Sequence, residues 1–138
     1  MPDFYLTFSA AVVVLFSTNF AVIRTFRLRH GFMEGWRLSI PFLGCLFSGV
    51  IFVFAVGLFD DGPSETESHR ISLYLILSAL GWAVSALHNR AYMQMRYGEN
   101  ISIPRALLLN FQIIFWMKIA AFVLWIPFIF LGALIGII

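Results

Sequence analysis

Three histidines, one cysteine and seven carboxylates are the side chains in this 138-residue chain best suited to metal, nucleophilic or proton-transfer chemistry. Their spacing brings few of them together. A metal centre needs three or four His, Cys or carboxylate ligands converging on one point, whereas His30 and His88 flank apolar segments, His69 lies in an acidic loop and Cys45 sits alone inside an apolar run. One cysteine allows no disulfide within the chain. Paired haem ligands would come from inside a helical bundle, and these histidines lie at its edges. Asp60, Asp61, Glu65 and Glu67 are close in sequence, but their spacing fits no calcium loop and reads as a solvated acidic segment. The serines within apolar runs have no neighbouring base, and no glycine-rich phosphate loop follows a strand.

One stretch gathers several functional groups: His88, Asn89, Arg90, Tyr92, Arg96 and Glu99. They would suit a lipid-active site at a membrane interface. They equally describe the end of a helix that contacts anionic lipid, and that is the reading adopted. The expectation is a non-enzymatic protein with no catalytic residue, cofactor or metal, and with no nucleic-acid partner.

The elements that must carry these residues follow from composition. Hydrophobic residues make up 61% of the chain and charged residues 12%, with a mean hydropathy of +0.91, against roughly 45–50% apolar and about 25% charged in soluble domains. Four apolar runs cover approximately 4–22, 38–59, 71–87 and 119–138. A spanning helix needs about 20 such residues, and helices satisfy every backbone group inside hydrocarbon. The expected fold is therefore an all-α integral membrane protein, one polytopic domain with four transmembrane helices at approximately 4–22, 38–59, 64–90 and 113–138.

Basic residues orient these spans. Eight of the nine Lys and Arg residues fall in two stretches: Arg24, Arg27, Arg29 and Arg37, then Arg90, Arg96, Arg105 and Lys118; Arg70 alone lies elsewhere. Short loops rich in Lys and Arg stay on the cytoplasmic side, so both termini and the acidic loop at 60–70 are expected on the other side. The first run is read as a retained helix and not a signal peptide, since Asp3 precedes it and the arginines follow it, the reverse of a leader. The expected location is a cell membrane, multi-pass, on the pattern of a bacterial inner membrane.

The last 35 residues are less simple. A helix from Pro104 to the end would exceed 50 Å at about 1.5 Å per residue, so the expectation is a helix outside the core over Ile103 to Phe115, capped by Ser102, which either lies at the interface or continues the span at an angle. Trp116 and Lys118 then anchor the fourth span at the cytoplasmic face. The other reading of Lys118 is a charge lining a pathway. In the acidic loop, Ser64-Glu65-Thr66-Glu67 matches a capping box that starts helix three.

Small residues indicate where helices approach closely in lipid: Ser78, Gly81 and Ser85 in the third helix, Gly132 and Gly136 in the fourth, and Gly44, Ser48 and Gly49 in the second. Ser9, Ser17, Thr18 and Asn19 in the first helix suit either packing or a narrow polar path in an oligomer. Arg29-His30-Gly31 with Ser39-Ile40-Pro41 is echoed by Arg96-Tyr97-Gly98 with Ser102-Ile103-Pro104, with unequal gaps. No Asp or Glu lies inside the four runs, which lowers the case for ion-coupled transport. Expected partners are membrane lipids and other membrane subunits or copies of the chain. The function expected is an accessory or assembly subunit of a membrane complex; the alternative is a homo-oligomeric pore, a lysis-related protein or a small transporter for an uncharged or hydrophobic solute.

Overall fold

A computed structural model describes the backbone of residues 2–59 and 63–136 and the side chains of 5–51 and 68–136. It contains four helices, α1 (Pro2–Phe26), α2 (Phe32–Phe59), α3 (Pro63–Tyr97) and α4 (Ile103–Leu134), and no strand among the described residues. Three stretches are long and apolar enough to cross a membrane: Tyr5–Phe26, Ser68–Tyr97 and Ile103–Leu134. The second expected run, 38–59, extends beyond the described side chains. The acidic residues Asp60, Asp61, Glu65 and Glu67 and the Ser64 capping box also fall outside them.

Glycine and one arginine end the helices. Arg27 has φ 52°, and the Leu28 amide donates back to the Ile23 carbonyl at 3.4 Å; this is the six-residue closure that follows a left-handed residue at a helix C-terminus. α3 ends on Gly98 at φ 68°, whose amide reaches the Gln94 carbonyl at 3.0 Å, the simpler five-residue form. α4 begins where the Ala106 amide donates to Ser102 O at 2.9 Å.

α4 departs from the sequence expectation. No separate interfacial helix precedes the fourth span; the helix runs unbroken from Ile103 to Leu134 over 32 residues. Arg105, Asn110, Gln112 and Lys118 interrupt its hydropathy but not its backbone, since neither Gly nor Pro occurs between Arg105 and Ile126. At about 1.5 Å per residue it is near 48 Å long, well beyond a hydrocarbon core of about 30 Å. Its charged first turns therefore extend past the apolar layer or the helix tilts. The sequence echo also divides here. Gly31 and Gly98 share positive φ, 62° and 68°, yet Pro41 lies inside α2 and Pro104 in the first turn of α4.

The chain forms two compact units, one of residues 1–39 with 111–138 and one of residues 40–110. In both, polar side chains share the buried interior with apolar ones, while many large hydrophobic side chains lie outside. Ser17, Thr18, Ser39 and Ser85 are wholly buried, and Asn19, Asn89, Asn110 and Glu34 nearly so, whereas Phe122 is 72% exposed, Phe130 68% and Leu134 81%. Water would favour the reverse. Lipid places no penalty on exposed hydrocarbon, and this distribution agrees with the membrane class that the three long apolar helices suggest.

Candidate functional site

In the unit of residues 40–110, backbone proximity and a polar cluster hold the helices. A Cβ on Gly81 would come within 2.8 Å of the Cys45 Cβ, and one on Gly49 within 3.2 Å of the Leu77 Cβ. These glycines let α2 and α3 approach where any side chain would separate them. Gly44 faces open space. Between α3 and the start of α4, the Asn110 amide donates to the Trp82 carbonyl at 2.9 Å and to the Ser85 hydroxyl. The Asn110 oxygen accepts from Asn89 Nδ2 at 3.3 Å. The Trp82 indole donates to the Leu107 carbonyl at 3.0 Å. Arg90 Nε reaches the Ile101 carbonyl at 2.6 Å, fixing the connection between the helices.

That arrangement bears on the group once read as a possible lipid-active cluster. Asn89 is buried and bonded to Asn110, Arg90 is committed to a backbone carbonyl, and His88 stacks on Tyr92 with ring centroids 6.4 Å apart. Two of the six residues thus serve the hairpin itself. Among the described residues no three His, Cys or carboxylate side chains are grouped to hold a metal.

In the other unit, α1 and the later part of α4 run antiparallel. Thr18 donates to the Val14 carbonyl at 2.7 Å and meets the Met117 sulfur at 3.0 Å, while Asn19 Nδ2 donates to the Phe32 carbonyl at 3.1 Å. A Cβ on Gly35 would stand 2.6 Å from Ile23 Cγ1 and 2.7 Å from Asn19 Oδ1, so the first turn of α2 rests directly on α1. Beside these contacts lies a groove of about 650 Å³ lined by Val13, Phe16, Phe20, Trp116, Ala120 and Val123 among others. Asn19 and the Trp116 indole are the polar groups in a lining otherwise of hydrocarbon. At one end the Arg24 guanidinium carbon lies 5.2 Å from the centre of the Trp116 ring, within the range of a cation–π contact.

The residues singled out in the sequence are distributed as follows. Gly81 and Ser85 are buried and Ser78 is half-buried, all on α3. Gly132 is buried in α4, but Gly136 lies past the helix end with φ 73°; it terminates the helix and does not share a helical face with Gly132. Arg24, Arg27, Arg29 and Lys118 are exposed in one unit; His88 and Arg96 are exposed and Arg90 half-buried in the other. Sequence reasoning did not pair Asn110 with Ser85 and Asn89, nor expect the burial of Glu34 in the first turn of α2. A signal for the first existed: Ser85 and Asn89 are four apart on α3, and Asn110 is one of only two amides, with Gln112, in the apolar α4.

No known family, curated protein or solved structure matches this chain. Its class rests on its own architecture, an all-α protein of four helices, three of them able to cross a membrane.

Proposed function

We propose that this protein is a non-enzymatic accessory or assembly subunit of a larger membrane complex. It spans a cell membrane four times, α2 crossing it along with α1, α3 and α4, with both termini on the non-cytoplasmic side, as in a bacterial inner membrane. The observation that carries the reading is the extent of apolar surface left open: only 11% of the α4 spanning window and 17% of that of α3 are buried within the chain. Outward aromatic side chains such as Phe111, Phe115, Phe122 and Phe130 offer packing area to neighbouring helices, the means of association available in lipid. Its basic connections suit contact with lipid headgroups or a partner.

The alternative is a homo-oligomeric pore or small transporter. Supporting the subunit reading over it is the burial of Ser17, Thr18 and Asn19, three of the four polar residues of α1, with half-buried Ser9, that would face a conducting path between copies. Gentle extraction of a tagged copy, with mass spectrometry of what remains bound and the mass of the assembly, is the test. Different proteins in fixed stoichiometry are expected; a homo-oligomer alone would overturn the subunit reading. Orientation is tested separately: cysteine in place of Ser64 should label from outside intact cells and cysteine in place of Tyr97 should not.

A further inference from the structure

We infer that the groove between α1 and α4 is a binding site for one anionic phospholipid of the surrounding bilayer, with an acyl chain in the groove and the phosphate at Arg24. The inference rests on one unit of the chain and does not depend on the subunit reading. Two independent features meet at this place. The first is the cavity, about 650 Å³ and almost wholly hydrocarbon-lined, within the range of roughly 300–1,000 Å³ typical of small-ligand sites. Its walls run from Ile23 to Val12 along α1 and from Trp116 to Phe128 along α4. At about 1.5 Å per residue that is some 17 Å, close to half of a hydrocarbon core of about 30 Å. A chain from one leaflet matches this depth.

The second feature is charge at one end only. Arg24 is exposed and makes no ion pair among the described residues, and its guanidinium is held over Trp116. The same indole lines the groove, so cation and hydrocarbon slot are joined through one side chain. A guanidinium presents donors in a fork that matches a phosphate, and stacking on the indole leaves its edge N–H groups free to donate. Inside the slot, Asn19 Nδ2 bonds to Phe32 O, and its oxygen, which accepts no hydrogen bond, is buried against Gly35 and out of a ligand's reach. A polar solute would find no partner there, whereas an alkyl chain needs none. An amphiphile with an acidic head and an alkyl tail is the ligand class that satisfies both ends.

The test uses the full chain in mild detergent, with native mass spectrometry after exposure to phosphatidylglycerol or phosphatidylcholine of equal chain length. One phosphatidylglycerol per chain is expected, preferred about tenfold. Arg24→Gln should abolish the preference while leaving some lipid bound. Val123→Trp, at a groove residue 58% exposed in the free chain and so able to accept a larger side chain without repacking the helices, should remove retention of both lipids. Arg29→Gln, an exposed charge in the neighbouring turn, should change nothing. Equal losses from Arg24→Gln and Arg29→Gln would mean diffuse attraction to basic loops and overturn the site. Retention unaffected by Val123→Trp would overturn it as well, and so would preferential retention of a free fatty acid over the phospholipid.

Discussion

The two units solve the same problem of holding helices together in lipid by opposite means. In residues 40–110, Gly81 and Gly49 bring backbones into contact and Asn110 joins Asn89, Ser85 and Trp82 through side-chain bonds across helices. In residues 1–39 with 111–138, the hydroxyls of Ser17 and Thr18 turn back to the Val14 carbonyl of their own helix, and bulky side chains stand apart around a groove. The first arrangement specifies one register through contacts made between helices. The second turns its hydroxyls back onto its own helix, leaves Asn19 Oδ1, the Thr25 hydroxyl and Trp125 Nε1 buried without partners, and keeps an open apolar surface for a hydrocarbon guest.

This contrast can be broken most directly at the glycines. Gly81→Leu should destabilise the folded protein by about 3 kcal/mol, since a side chain there forces α2 and α3 apart, while Gly44→Leu, which meets open space, should stay within about 0.5 kcal/mol. Reversible unfolding in mixed micelles measures both, and equal effects would remove the close approach from the account. Asn110→Leu should follow at about 1–2 kcal/mol, the scale of up to three bonds at about 0.6 kcal/mol each in membrane proteins; no change in unfolding would show that the cluster does not hold the hairpin. Gly35→Ala should cost about 1 kcal/mol, less than Gly81→Leu because Ile23 can adjust its rotamer. Thr18→Val is expected to be the mildest, at about 0.5 kcal/mol, because the bond lost is chiefly one to its own helix. A Thr18→Val loss as large as that of Asn110→Leu would erase the distinction between the units.

The helices were readable from the chain because each depends on local signals. Apolar runs locate them, Gly98 stops α3, and Ser102 precedes α4. Arg27 is a stop that sequence does not advertise, since a left-handed arginine has no compositional mark. The unbroken α4 was hidden because hydropathy reports the medium around a side chain, whereas helix continuity depends on the backbone, and Lys118 disturbs only the former. Gly81 stood out as small, but what it touches could not be read from spacing, and Gly44 was equally small with no contact. The groove had no signature at all. It arises from Val13, Phe16, Trp116 and Ala120, ordinary residues separated by about a hundred positions and joined only by the fold.

That separation sets an order of events during synthesis. The Arg90–Ile101 and Ser85–Asn110 pairs are 11 and 25 residues apart, whereas Thr18 and Met117 are 99 apart. At roughly 5–20 residues per second, α1 waits on the order of 5–20 seconds for the α4 residues that complete its wall, while the α3–α4 hairpin can close as soon as it emerges. For that interval Phe16, Phe20 and Val13 face whatever the insertion site supplies.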